Sequence, residues 1–260
     1  MRVWAVANQK GGVGKTTSAV TLGGLLADQG NRVLLLDLDP HGSMTSYFGY
    51  DPDSLQKSSF NLFADDDLTV NDIETLLLKT PSDKLTLLPS SMALATVERR
   101  AASEGMGLKV AKALALVWDA YDYVVIDSPP VLGALMINAL AASERLLIPV
   151  QTEFLALKGL ERMIRTITMV TRSLKKELNY LVVPTLFDRR TQASIKSLRT
   201  MRNAYTDSIW ASMIPIDTRF RDASREGQVP SQYDPQARGV TAYKALLKFL
   251  LSQQEQRLRA

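Results

Sequence analysis

Lys10-Gly11-Gly12-Val13-Gly14-Lys15-Thr16-Thr17, with Val3-Trp4-Ala5-Val6-Ala7 just before it, decides the fold. The apolar run reads as a buried strand, and the segment from 17 to 27 reads as a helix. A glycine-rich turn between a strand and a helix, closing on Gly-Lys-Thr, is the pattern of a phosphate-binding loop. Gln9 stands where the ordinary G-x-x-x-x-G-K-[ST] spelling has its first glycine, and a second lysine, Lys10, opens the loop instead.

The residue types predict the chemistry. Glycines lack Cβ, so the backbone from Gly11 through Gly12 and Val13 to Gly14 can approach a polyphosphate closely, its N–H groups and the helix N-terminus aimed at the anion. Lys15 is expected to reach the β- and γ-phosphates, Thr16 to give its hydroxyl to Mg²⁺, and Thr17 to help hold the α-phosphate. Lys10 has no part in that scheme.

Two more strands end in acids. Arg32-Val33-Leu34-Leu35-Leu36-Asp37-Leu38-Asp39-Pro40 closes on two carboxylates two residues apart, on one side of the strand's end. Tyr123-Val124-Val125-Ile126-Asp127-Ser128-Pro129-Pro130 closes on an acid and a rigid turn. Further strands are predicted at 85–88, 145–150, 180–185 and 209–214, with helices in most gaps, 155–172 being the longest internal one. The alternation predicts an α/β fold: a doubly wound, mainly parallel sheet of about seven to eight strands flanked by helices. Ligands of such sheets bind at the carboxyl ends of strands, where the loop and both acidic segments converge. Residues 51–82 fit no single period.

These motifs, in this order, resemble the ParA/MinD superfamily of deviant Walker P-loop NTPases, and most closely its ParA/Soj partition-type members. The resemblance covers nearly the whole chain. It implies that Lys10 crosses a homodimer interface to the partner's nucleotide, that Asp39 orients the attacking water, and that Asp37 and Asp127 belong to the Mg²⁺ shell, with ATP and Mg²⁺ as cofactors. Ile214-Pro215-Ile216-Asp217 matches the segment that walls the base, so Pro215 and Asp217 are expected near adenine. Departures occur too: His41 and Ser43 replace a usual Gln and Asn, Ile216 a usual Arg, and Ser224 a usual Pro. The spelling from Asp39 to Phe48, with Gln151-Thr152-Glu153-Phe154-Leu155-Ala156-Leu157-Lys158-Gly159-Leu160, is similar to a branch associated with chemotaxis and flagellar genes, which positions chemotaxis arrays. His41, the sole histidine, adjoins Asp39; polar positioning or a partner contact is expected of it rather than general base catalysis.

Charge adds a second expectation. The chain is +4 overall, and from 185 to 226 eight basic residues face five acids. Partition-type relatives bind DNA without sequence preference through this half once ATP assembles the dimer, which assigns Arg189, Arg190, Arg219 and Arg221 to non-specific DNA. No helix-turn-helix segment precedes the loop, which disfavours sequence-specific repression. A MinD-like amphipathic terminal helix is the competing reading: residues 240, 243, 246, 247, 250 and 251 form an apolar stripe, but the tail from Ser252 to Ala260 is too polar for an anchor, so membrane insertion is disfavoured.

The 260 residues, 46% hydrophobic and with no evident linker, suit one domain over 1–260. Zero cysteines exclude both a disulfide framework and the cluster ligands of nitrogenase iron proteins, which share the deviant loop. No stretch reaches the roughly 18 apolar residues of a spanning helix, so a cytoplasmic protein is expected, nucleoid-associated or at the cell pole. The combined expectation is a slow Mg²⁺-dependent ATPase. Its ATP state dimerises and is reset by a stimulating partner, a chemotaxis-array adaptor or a centromere-binding protein. The cargo expected is the chemotaxis array, with chromosome or plasmid partition, flagellar placement and membrane-associated regulation as alternatives. Asp65-Asp66-Asp67 reads as a solvated loop rather than a metal site.

Overall fold

The three motifs emerge along one edge of a seven-stranded sheet in the computed structural model, which describes residues 1–100 and 106–259. In chain order the elements are β1 (Arg2–Val6), α1 (Lys15–Asp28), β2 (Val33–Asp37), α2 (Ser43–Tyr47), α3 (Asn61–Ala64), α4 (Val70–Glu74), β3 (Leu78–Lys79), β4 (Leu85–Leu88), α5 (Ala95–Arg100) and α6 (Lys109–Leu116). There follow β5 (Tyr123–Asp127), α7 (Ala134–Ala142), β6 (Arg145–Gln151), α8 (Phe154–Ser173), β7 (Asn179–Thr185), α9 (Gln192–Ala204), α10 (Arg219–Arg225), α11 (Pro230–Tyr233) and α12 (Arg238–Arg259). The strand order is β3–β4–β2–β5–β1–β6–β7, parallel throughout except for β3 against β4.

Helices cover both faces, so the central strands read as continuous apolar runs rather than alternating ones. Side chains still alternate between two cores. Leu34 and Leu36 face the layer of α6, α7 and α8 with Leu135, Leu160 and Met163, whereas Val33 and Leu35 face Leu22 and Leu26 of α1 and Tyr243 and Leu246 of α12. Two glycines let α1 approach its neighbours. A Cβ on Gly23 would lie 2.6 Å from Leu35 Cδ2 and one on Gly24 2.8 Å from Val229 Cβ.

Registry delivers the site. Val6 and Asp37 both pair with Asp127, so the strand ends before the glycine loop and both acids lie abreast.

Residues 209–214 do not form the expected strand. Ile209 bridges Val182 and Pro215 bridges Phe187, but the segment between leaves the sheet. Its ladder partner is interrupted by Pro184, which has no N–H to give; Trp210 N reaches Val182 O, Ile214 N reaches Pro184 O, and Ala211 and Ser212 loop out exposed. The seventh strand is instead β3, inside the 51–82 region of no clear period, where Thr69 and Asp72 form a capping box that starts α4. Asp65, Asp66 and Asp67 are exposed, as read, and Asp66 pairs with Lys109. On α12, Val240, Tyr243, Leu246, Leu247 and Leu250 are all buried, so the apolar stripe is occupied by the protein's own core. Among the described residues no helix is long and apolar enough to cross a membrane. Ala260, the end of the polar tail, lies outside the described residues.

Candidate functional site

The loop between β1 and α1 is shaped by two glycines and held from behind. Gly12 and Gly14 take positive φ of 72° and 90°, where a side chain would be strained; Gly11 does not use that freedom. Asn8 Nδ2 donates to Pro149 O at 2.7 Å, Lys10 N donates to Asn8 Oδ1 at 3.0 Å, and Thr185 Oγ1 donates to Val13 O at 2.8 Å. The front of the loop is open: a Cβ on Gly11, Gly12 or Gly14 would meet no atom within 4 Å. Helix α1 starts at Gly14 with no side-chain cap, so its first N–H groups remain for an anion.

The acids lie alongside. Thr16 Oγ1 donates to Asp127 Oδ2 at 2.6 Å, and Asp127 Oδ1 is buried without a hydrogen-bond partner among the described residues. Asp37 is fully engaged: Oδ2 accepts Thr45 N at 2.9 Å and Thr45 Oγ1 at 2.8 Å, while Oδ1 accepts Asp39 N at 3.1 Å. Asp39 Oδ1 accepts His41 N at 3.0 Å and meets His41 Nδ1 at 2.7 Å, with the imidazole mostly in solvent. Ser90 Oγ donates to Asp39 O at 2.5 Å, fixing that residue's main chain independently of its carboxylate. No cluster of three or more acidic or histidine ligands exists among the described residues. That suits Mg²⁺, which binds through one or two protein oxygens together with substrate phosphates and waters. The orphaned Asp127 oxygen beside the Thr16 hydroxyl, under an open cradle, fits such a cation.

A cavity of 260 Å³ continues from the loop, lined by Gly14, Thr17, Pro215, Asp217, Arg221 and Tyr243 among others. It brings Pro215 and Asp217 to the loop's flank, although they are distant in sequence. The Asp217 carboxylate is taken up by backbone, accepting Arg219 N at 3.0 Å and Gly239 N at 2.8 Å, so any base contact at this residue falls to its main chain. A larger cavity of 370 Å³ lies at the opposite, amino-terminal end of β1 and β6. Its polar groups are satisfied locally: Arg2 pairs with Glu144, and Lys176 Nζ donates to two carbonyls ending α7.

The extra lysine stays outside the cradle. Lys10 Nζ pairs with Glu153 Oε1 at the start of α8 and contacts Gln151 Oε1 at the end of β6 at 3.3 Å, whereas Lys15 Nζ turns inward to Lys10 O at 3.3 Å. Of the four arginines, Arg189 and Arg190 line one groove, which shares Pro215 to Thr218 with the loop-side cavity. Arg190 is held bidentately by Asp188, and Arg219 sits between Asp222 and Asp234. Arg221 helps wall the loop-side cavity, and Arg189 is exposed on a neighbouring groove. Sequence reasoning missed the roles of Thr45, Ser90 and Glu153, which bind Asp37, Asp39 and Lys10 across 8 to 143 positions of chain. No local spacing could have revealed them.

Burial makes the ligand-free site electrostatically costly. Asp127 is pushed well above the carboxylate range by burial and then by Asp37, against the opposing Thr16 hydrogen bond and Lys15; Asp37 is pushed up by burial against three hydrogen bonds. Lys15 is lowered by burial, against the pull of Asp127 and Asp39. A carboxylate raised on folding favours the folded state fully below its unfolded pKa, and that contribution is lost as pH rises through the folded value. The ligand-free protein is therefore expected to melt lower at pH 9 than at pH 6. The slope per carboxylate is up to about 1.4 kcal/mol per pH unit, or roughly 3–5 °C for a chain of this size. Mg²⁺ with nucleotide, in place of the proton, should flatten the dependence. Calorimetry at both pH values checks it, and an unchanged slope in Asp127→Asn would defeat the assignment.

Comparison with known proteins places this geometry in company. A family described as an AAA domain matches residues 1–180. The sporulation initiation inhibitor protein Soj of Bacillus subtilis is 36% identical over 249 residues, 95% of this chain and 97% of its own. The chromosome partitioning protein ParA of Caulobacter vibrioides is 34% identical over 261 residues, 99% and 96% respectively. A solved structure, cobyrinic acid a,c-diamide synthase from Mycobacterium smegmatis with bound ATP analog and magnesium, is similar with a TM-score of 0.83 at 34% identity, covering 98% of this chain and 96% of that one.

Proposed function

The chain belongs to the ParA/Soj partition-type branch of the ParA/MinD superfamily of P-loop ATPases, and on that premise we propose an ATP-dependent dimerisation switch that positions a cellular cargo. Residues 1–260 act as one unit. ATP lies along the loop from Gly11 to Thr17, Mg²⁺ is held by Thr16 and Asp127, and the base enters the cavity beside Pro215 and Asp217. Mg²⁺ supplies neutralisation of phosphate charge. Lys15 adds to it, and Asp39 orients water. Asp37, its oxygens all engaged, holds the 39–45 turn and acts on the cation indirectly.

The observation that carries this reading is the division of labour between two lysines five residues apart: Lys15 points into the site, and Lys10 lies outside it on an ion pair with Glu153. A lysine held at the rim is available to a second copy's nucleotide, which makes assembly part of the active site and leaves hydrolysis slow until a partner protein completes it. On this reading the protein works in the cytoplasm, on the nucleoid or at the cell pole. The Asp39 to Phe48 and Gln151 to Leu160 spellings favour chemotaxis arrays as cargo. Soj and ParA among the relatives favour chromosome partition, with duplex DNA as the surface.

Gel-shift on random-sequence duplex with ATP, ADP or no nucleotide tests the switch. Binding is expected with ATP alone, falling by about 10³ or more between 50 and 200 mM salt if the dimer covers six or more phosphates. ATP-dependent dimers without DNA binding in any state would move the surface to a polar protein partner. Failure to dimerise with ATP would overturn the switch itself.

A further inference from the structure

A loop that binds phosphate through its backbone must turn its N–H groups toward the anion, and in a trans peptide the carbonyl of the same unit then points the opposite way, into the protein. Each rearward carbonyl needs a donor there. Gly14 O is met twice from α1, accepting Ser18 N at 2.9 Å and Ser18 Oγ at 2.7 Å, and Lys10 O is met by Lys15 Nζ at 3.3 Å. Val13 O is served from outside the loop and its helix. Its donor among the described residues is Thr185 Oγ1 at 2.8 Å, 172 positions away at the end of β7. That carbonyl shares its peptide unit with the N–H of Gly14, the residue at φ 90° on the open front of the loop.

We propose that Thr185 is a positioning residue for the nucleotide: its hydroxyl pins the Val13–Gly14 peptide so that the Gly14 N–H faces the phosphates. The inference rests on the nucleotide placement proposed above and deepens it. Glycine takes either sign of φ readily, so an unpinned Val13–Gly14 peptide can rotate and carry its N–H away from the anion. Thr185 is itself firmly held. It is buried, it pairs with Gln151 in the parallel register of β6 and β7, and its carbonyl accepts Thr152 N at 3.1 Å. Thr152 Oγ1 in turn lies 2.5 Å from Ser194 Oγ of α9. Leu186, the next residue, has φ of 51°, a left-handed backbone that a residue with a side chain keeps where its surroundings impose it. Thr185 and Leu186 both line the cavity that continues from the loop. Because β6 lies between β1 and β7, the hydroxyl ties the loop to a strand with which β1 does not pair.

Val13–Gly14 is the only Val-Gly step in the chain, so valine labelled at its carbonyl carbon together with glycine labelled at its nitrogen isolates this one peptide for NMR. The test records that signal in the full chain with and without MgADP, alongside MgADP affinity by calorimetry, for the native protein and for Thr185→Val, Thr185→Cys and Thr185→Ser. In the native chain MgADP should move the Gly14 amide proton downfield, the response of an N–H that donates to phosphate. Thr185→Val keeps the side chain's shape and removes the donor. It should shift the Val13 carbonyl signal even without ligand, weaken MgADP by at least about tenfold, and reduce the amide displacement at saturation. Thr185→Ser should restore both. Thr185→Cys, a weak donor, should fall between them and takes the place of the valine variant if that one does not fold. Native affinity with a native amide displacement in Thr185→Val or Thr185→Cys, whatever the melting temperature, would reduce the bond to a structural one and overturn the assignment while leaving the nucleotide in place. MgADP binding by the native chain with no response at Gly14, or no MgADP binding at all, would overturn the nucleotide placement and the assignment together.

Discussion

Lys15→Ala is expected to abolish the response to nucleotide without harming the fold. Lys15 is buried, its amine is lowered by that burial, and its one hydrogen bond among the described residues is a 3.3 Å contact to Lys10 O. Burial outweighs the pull of Asp127 and Asp39 on this cation, so removing it should leave the ligand-free melting temperature little changed. Binding is another matter. In the proposed nucleotide pose the ammonium serves the terminal phosphates, and its loss should weaken MgATP by at least about 100-fold, or roughly 2.7 kcal/mol. In the native chain, nucleotide at about 100 times its Kd adds about 2.7 kcal/mol of stability, which is roughly 5–10 °C at this size. The variant should lose nearly all of that shift, together with dimerisation and turnover. A variant that melted normally and still gained several degrees with MgATP would show that the phosphates lie elsewhere.

What could be read in advance was whatever local periodicity and composition encode. The buried strands β1, β2 and β5 were legible because strands covered on both faces leave unbroken apolar runs, and the glycine loop because its backbone conformation demands Gly12 and Gly14. The loop's flank at Pro215 and Asp217 came from resemblance, since nothing in their own spacing marks them. Residues 209–214 misled because an apolar stretch reads as a strand whatever its partner, and the missing N–H that breaks the ladder belongs to Pro184 in another segment. The same limit hid Thr45, which occupies both sides of one Asp37 oxygen, and Glu153, which holds Lys10. Charge was the least legible quantity. A count along 185–226 sets Asp188 and Asp222 against the basic residues, but it cannot show that they pair with Arg190 and Arg219, or that Asp234 from outside the stretch also pairs with Arg219.

Asp39→Ala is expected to separate binding from hydrolysis. The residue's main chain is fixed by Ser90 Oγ on its carbonyl and by Asp37 Oδ1 on its N–H, so truncating the side chain leaves the turn in place. What disappears is a nearly buried carboxylate whose Oδ1 is shared by His41 N and Nδ1 and which sits close enough to Lys15 to raise that amine's pKa. Loss of a group that orients or accepts a proton from attacking water typically costs 10²–10⁴ in rate. MgATP binding, which the proposed site assigns to Lys15, Thr16 and Asp127, should persist with its full melting shift. The variant should accumulate as an ATP-bound dimer and remain on DNA after wild-type protein has turned over its nucleotide and dissociated. His41→Gln is the informative contrast. If the imidazole only positions Asp39 or greets a partner, its replacement should change turnover by no more than a few fold, and the rate should not acquire a new pH dependence between 6 and 8. Normal hydrolysis in Asp39→Ala combined with collapse in His41→Gln would transfer the catalytic role from the carboxylate to the histidine.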